Sequence, residues 1–175
     1  MKPLRLPLLM LSAFLGFIAN LSADPLKVGD AAPTVSATTD TGSTLALGDV
    51  YPKGYTLVYF YPKADTPGCT KQGCSLRDSF EVLTKKGVTV IGVSHDDVAA
   101  QKAFKEKYNL PFTLLADTDS AVMKGFGVPP IPATSLATRQ AYLIDKSGKI
   151  VWADYKASTD KQAADVLAEL EKLGV

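Results

Sequence analysis

The chain is predicted to fold as an α/β domain in which helices flank a central mixed β-sheet entered through an N-terminal β-hairpin. Three apolar runs, Tyr55 to Tyr61, Val88 to Val93 and Ala141 to Ile144, do not alternate and are rich in β-branched or aromatic residues. Such runs suit strands buried on both faces. Stretches with helical spacing lie between them, so the order reads hairpin, strand, helix, strand, helix, short strand, helix, two strands, helix. That alternation is the mark of a sheet with crossover helices.

At the amino terminus, Lys2 and Arg5 precede an apolar run from Leu8 to about Leu21, followed by Ser22, Ala23 and Asp24. This is the layout of a secretory leader. A run of about fourteen residues is short beside the roughly 20 that span a bilayer. Residues 1–23 are therefore expected to be a cleaved signal peptide and residues 24–175 an exported, periplasmic domain without stable membrane insertion. Leu21 fits poorly where a small residue is usual before the cleavage point, which leaves an uncleaved membrane anchor as the alternative.

Of nineteen basic and eighteen acidic residues, only Lys2 and Arg5 leave with the leader, so the mature chain stays nearly neutral. It offers no basic surface for nucleic acid and no low-complexity tail. About 150 residues form one domain that buries a core without covalent staples.

The elements follow in order. Thr34 to Leu47 places two short stretches around Asp40-Thr41-Gly42, a hairpin signal. After the first buried strand, the stripe Cys69, Gly73, Leu76, Phe80 and Leu83 keeps the spacing of one helix face and predicts a single helix up to Gly87. Asp96 and Asp97 can cap a second helix whose Ala100, Ala103, Phe104 and Tyr108 share a face, ended by Asn109 and Pro111. A third, short helix is expected over Ser120 to Phe126. The turn Asp145-Lys146-Ser147-Gly148 leads into an edge strand within Lys149 to Tyr155. A last helix begins near Asp160, carries Ala163, Leu167 and Leu170, and stops at Gly174. The proline-rich Gly127 to Thr138 is a loop of about twelve residues and a candidate site wall.

Both cysteines, Cys69 and Cys74, fall within YPKADTPGCTKQGCSLRD, Tyr61 to Asp78. Thr66-Pro67-Gly68-Cys69 follows a buried strand directly and reads as a helix start, with Thr66 as N-cap and Pro67 at the first helical position. Cys69 then lies in the first turn, where unpaired amides and the positive end of the helix dipole favour a thiolate. The plainer use of such a cysteine is as a small residue on the apolar stripe. Against that, strand-to-helix turns are where α/β folds present their chemistry. Ideal helix geometry sets Cys69 and Cys74 about 8.7 Å apart at Cα, on faces roughly 140° different, whereas a disulfide needs about 7 Å or less. A bond between them requires at least one turn to unwind, which suits a transient bridge better than a structural one.

Pro62, Thr66 and Cys69 form Pro-x-x-x-Thr-x-x-Cys, and FYPKADTPGCTKQGCSLRD resembles the active-site segment of peroxiredoxins. Within them it is most similar to the peroxiredoxin Q group, also called bacterioferritin comigratory proteins, of the atypical two-cysteine kind. The similarity runs from VGDAAP, Val28 to Pro33, through RQAYLID, Arg139 to Asp145. This resemblance implies a thioredoxin-like fold with peroxiredoxin additions. It also implies a peroxidatic Cys69, a resolving Cys74, a Thr66 hydroxyl and an Arg139 guanidinium at the site, and a Pro62 that shields it. The implied activity is reduction of hydrogen peroxide and organic hydroperoxides through a Cys69 sulfenic acid and a Cys69 to Cys74 disulfide. Thioredoxin or a thioredoxin-like dithiol reductant would recycle it, with no metal and no organic cofactor, in a monomer serving antioxidant defence.

The residue types suit that chemistry. A peroxide is a weak neutral electrophile, so its attacker must be a thiolate, and the departing oxygen must meet donors as it gains charge. Arg139 is permanently charged and directs several N–H groups, and Thr66 is expected to add another donor. Two rival readings remain. A thioredoxin-like disulfide oxidoreductase would carry Cys-x-x-Cys, unlike this spacing. A non-enzymatic domain with a structural bridge would hold a disulfide resistant to mild reductant and consume no peroxide.

Other signals point elsewhere. Ser94-His95-Asp96 cannot form a hydrolase relay, since adjacent residues leaving a strand point in different directions, and His95 is expected to cap or sit at the surface. Two cysteines and one histidine fall short of a zinc site. Lys85-Lys86 and Lys105 to Lys107 read as solvated faces, and Asp117 and Asp119 as caps of the following helix rather than calcium ligands.

Overall fold

The computed structural model describes residues 24–175, and the leader expected over residues 1–23 lies outside them. Seven strands form one mixed sheet: β1 (Ser36–Thr39), β2 (Thr44–Ala46), β3 (Tyr55–Phe60), β4 (Val88–Ser94), β5 (Thr113–Ala116), β6 (Gln140–Ile144) and β7 (Ile150–Asp154), arranged β2-β1-β5-β4-β3-β6-β7. Central β3 pairs parallel with β4 and antiparallel with β6. The β1–β2 hairpin and the edge strand β7 lie where the sequence places them.

Alternation along β3 divides the core in two. Leu57, Tyr59 and, just past the strand, Tyr61 face one layer with Cys69, Leu76, Leu83, Phe104 and Leu170. Val58 and Phe60 face the other, with Ile91, Val93, Phe126 and Tyr142. Because successive strand residues point to opposite faces, an unalternating apolar run is what a strand covered on both sides needs. The second layer also contains Leu47, Val50 and Tyr51, in or between two short 3-10 turns, Leu47–Asp49 and Tyr51–Lys53, that the periodicity did not reveal.

The single helix expected from Cys69 to Gly87 is two, α1 (Pro67–Asp78) and α2 (Phe80–Lys85), broken at Ser79. Asp78 and Ser79 are weak helix formers whose side chains compete for backbone bonds. The stripe survives the break, since Leu76 and Leu83 are fully buried.

Asp97 caps α3 (Val98–Tyr108) by accepting from the Ala100 amide at 2.8 Å, and left-handed Asn109 ends it. The buried face differs from the expected one: Ala103 is exposed, and Gln101 is buried with Phe104. Gln101 tolerates burial because its amide group is fully engaged, with Tyr61, Ser94 and the Leu115 carbonyl.

Asp117 and Asp119 do cap α4 (Ala121–Gly125). The Asp117 carboxylate accepts from the Val122 and Met123 amides at 2.9 and 2.8 Å, and Asp119 from Ala121 at 3.0 Å. Burial nonetheless pushes the Asp117 carboxyl above its usual range. The final helix, α5 (Gln162–Lys172), buries Ala163, Val166 and Leu170 beside α1, and Gly174 adopts positive φ just beyond it. No helix among the described residues is long and apolar enough to cross a membrane.

Candidate active site

Between β3 and α1 the chain turns through residues 61–66, and a buried polar chain fixes that turn. The Tyr61 hydroxyl donates to Gln101 Oε1 at 2.5 Å, Gln101 Nε2 donates to Ser94 Oγ at 2.7 Å, and Ser94 Oγ donates to Asp96 Oδ2 at 2.6 Å. The same Asp96 oxygen accepts from the Ala64 amide at 2.7 Å. Asp96 thus holds the turn rather than capping α3. Pro62 sits half-buried at the start of this turn.

Thr66 occupies the N-cap position with extended backbone, and its carbonyl receives the Thr70 amide at 2.8 Å. Its side chain does not cap. The hydroxyl donates to the Lys63 carbonyl at 2.9 Å, so its oxygen is left to accept, not to donate as the sequence reading expected. A peroxide carries an O–H, and an acceptor at this place is suited to orient it.

Cys69 is in the first turn of α1 with only 2 % of its surface exposed. Arg139, immediately before β6, brings Nη2 to 3.3 Å from its Sγ. The other arm of the guanidinium, Nη1, donates to Gln72 Oε1, and Gln72 Nε2 donates in turn to Gln162 Oε1. Both glutamines are buried. The Gln162 Nε2 has no partner among the described residues. A β-carbon on Gly68 would stand 3.3 Å from Arg139 Nη2, so glycine here lets the guanidinium close over the sulfur.

The structure therefore brings Thr66, Cys69 and Arg139 to one helix start and adds Gln72, Gln162 and Gly68, which sequence reasoning missed. Gln72 could have been found, because a residue three positions after Cys69 lies on the same helix side. Gln162 arrives from the far end of the chain with no local signal.

Cys74 is half-buried on the same unbroken helix, and both cysteines are free thiols. Arg77, one turn beyond Cys74, donates to Asp78 Oδ1 at 2.9 Å and to the Tyr108 carbonyl at 2.8 Å. The Asp78 carboxylate above all, with Cys74 contributing, raises the Arg77 guanidinium above its ordinary value. Beneath α1 lies an aromatic floor: Tyr59 stacks on Tyr61 at 5.5 Å, and Tyr61 meets Phe104 at 5.8 Å. Burial pushes both tyrosine hydroxyls far up, so they stay neutral.

Of the discounted signals, Ser94 and Asp96 brace the turn before α1 without forming a relay, and His95 stands apart from it. His95 Nδ1 lies 3.1 Å from the Asp117 carbonyl and 3.2 Å from Ser120 Oγ, with no bond to Ser94 or Asp96. Among the described residues no three His, Cys, Asp or Glu side chains gather as a metal site. Within Gly127 to Thr138, Val128 and Ala137 are buried in the second core layer, and residues 129–136 between them form a small, largely exposed hairpin in which the Ile131 amide donates to the Leu136 carbonyl at 2.8 Å; the segment delivers Arg139 into the site.

A buried first-turn cysteine under a guanidinium, on the helix that follows the central strand of a mixed sheet, defines a thiol-reactive protein of thioredoxin-like architecture. Comparison with known proteins narrows the class. The AhpC/TSA family matches residues 28–153. Peroxiredoxin bcp of Coxiella burnetii is 42% identical over 153 residues, covering 83% of this chain and 99% of its own. Chloroplastic peroxiredoxin Q of Oryza sativa subsp. japonica is 42% identical over 147 residues, covering 83% of this chain and 67% of its own. The crystal structure of peroxidoxin BcpB from Mycobacterium tuberculosis superimposes with a TM-score of 0.80 at 29% identity, over 85% of this chain and 98% of that one. The chain belongs to the AhpC/TSA family and, within it, is a peroxiredoxin of the peroxiredoxin Q group.

Proposed function

We propose that the protein reduces hydrogen peroxide and organic hydroperoxides by attack of the Cys69 thiolate on the terminal peroxide oxygen. The reading rests above all on Arg139 Nη2 standing 3.3 Å from Cys69 Sγ. In the reaction the peroxide O–O bond breaks, sulfur takes the terminal OH and becomes sulfenic acid, and the other oxygen leaves as water or alcohol after picking up the proton that the Cys69 thiol released on ionising. Arg139 offers its cation to the sulfur before attack and to both oxygens as charge develops. Thr66 accepts the peroxide O–H, and Pro62 shields the sulfur from water.

Cys74 then condenses with the sulfenic acid, releasing water and forming the Cys69 to Cys74 disulfide. A dithiol reductant of the thioredoxin type returns both thiols by exchange. In this proposal residues 1–23 direct export and residues 24–175 act as a monomer in the periplasm, so the reductant must also be outside the cytoplasmic membrane. A mature chain beginning at Asp24, read by mass from exported material, checks that placement; retention of residues 1–23 in the membrane fraction contradicts it.

Peroxide consumption with a dithiol donor tests the activity. Cys69→Ser should fall to a few per cent of the parent rate or less, because a serine hydroxyl is not ionised at neutral pH. A rate near that of the parent overturns the assignment.

A further inference from the structure

Tyr108, the last residue of α3, touches both ends of the helix that carries the two cysteines. Its hydroxyl donates to Asp65 Oδ1 at 2.6 Å, just before the Thr66 N-cap. Its carbonyl accepts from Arg77 Nη1 at 2.8 Å, in the last turn of α1. Lys107 strengthens the first arm, with Nζ at 2.9 and 2.8 Å from the two Asp65 oxygens and 5.2 Å above the Tyr108 ring. Asp65 itself has φ of +57°, a conformation that costs energy for a residue other than glycine and is held here by those contacts. Packing fixes Tyr108 in turn, its ring 5.4 Å from buried Phe104.

We propose that Tyr108, with Asp65 and Arg77 as its two arms, is a positioning residue that sets how often α1 opens and so how a Cys69 sulfenic acid is divided between two fates. The inference rests on Cys74 being the resolving thiol. In one fate, Cys69-SOH and Cys74-SH join through a new S–S bond with loss of water. In the other, the sulfenate takes an oxygen from a second hydroperoxide, giving sulfinic acid and water or alcohol. The first needs the helix between the cysteines unwound; the second occurs on the folded helix, where Arg139 faces the sulfur. Residues 66–76 lie between the two arms, so whichever end of α1 melts, one arm has to give. A tight clasp prolongs the sulfenic acid and exposes it to overoxidation. A loose one hastens the disulfide.

Tyr108→Phe removes the hydroxyl arm while keeping the ring and the carbonyl. Loss of one hydrogen bond to a carboxylate should raise the open population about fivefold. In the full chain, Tyr108→Phe should therefore speed amide exchange over residues 66–78 in the reduced protein. It should also form the Cys69 to Cys74 disulfide about fivefold faster after a pulse of hydrogen peroxide, with a correspondingly smaller sulfinic share under excess peroxide. The rate of the first attack on peroxide should be unchanged, because α1 still spends nearly all its time folded. Asp65→Asn, which keeps a side chain tolerant of positive φ, should move the same quantities in the same direction. A parent protein that never forms the disulfide removes the resolving role, and the partition claim with it, before any variant is compared. A parent that forms the bond while both variants match it in exchange, bond-forming rate and sulfinic share overturns the clasp alone.

Discussion

Arg139 reaches Cys69 with one arm and Gln72 with the other, so one bond fixes the plane of the fork and the other directs it at sulfur. A lysine carries the charge but not the two-armed plane. Arg139→Lys should keep the fold and slow the peroxide step by about 100-fold, the scale of one lost charge-stabilising donor. Stopped-flow oxidation of Cys69 measures this, and an unchanged rate would remove Arg139 from the reaction. Asp65 makes a prediction in pH. Hydrogen bonds from Lys107 first, then Tyr108, hold its carboxyl below the usual 3.8. Because the folded value is the lower one, the contribution is complete above about pH 4 and is lost as pH falls through the folded value. Exchange of residues 66–78, corrected for its intrinsic pH dependence, should accelerate in that acid range, and Asp65→Asn should abolish the acid response. A parent without acceleration contradicts the assignment.

At the scale of elements, α1 carries both cysteines of the candidate site and would hinder the proposed joining of the two. It runs unbroken from Pro67 to Asp78 through both cysteines, so disulfide formation requires part of it to unwind. Oxidation should therefore accelerate amide exchange across about Gly68 to Arg77, and reduction should reverse it. Equal protection in both redox states, with the bond proven by peptide mass, would show that the bond forms without unwinding. The helix start was legible in sequence because Thr66, Pro67 and the apolar stripe from Cys69 act within a few residues of one another. The break at Ser79 was not, since the stripe of Leu76, Phe80 and Leu83 runs through it without losing phase. Gln101 shows the limit of reading by polarity. A buried glutamine looks like an exposed one until its partners Tyr61, Ser94 and Leu115 are brought to it by the sheet.

For the whole molecule, the sheet and its helices followed from apolar runs because burial on both faces writes itself directly into composition. The candidate site was legible less completely. Thr66, Cys69 and Cys74 lie within one short segment, and Arg139 reaches Cys69 from just before β6, where only the family pattern marks it. Gln162, from α5, and Tyr108, from α3, reach α1 through tertiary packing alone, so no local pattern announces them. The proposed mechanism turns on peroxide oxidising Cys69 and on Cys74 resolving the product. The most direct measurement is a single turnover with one equivalent of hydrogen peroxide, followed by peptide mass of the cysteine segment in the parent and in Cys74→Ser. The parent should lose one equivalent of peroxide and hold a Cys69 to Cys74 disulfide. Cys74→Ser should consume the same equivalent and stop at a Cys69 sulfenic acid, passing to sulfinic acid when peroxide is in excess. A parent that consumes peroxide with both thiols intact or never joins Cys69 to Cys74, or a Cys74→Ser chain that consumes the peroxide and leaves Cys69 a thiol, would contradict this mechanism.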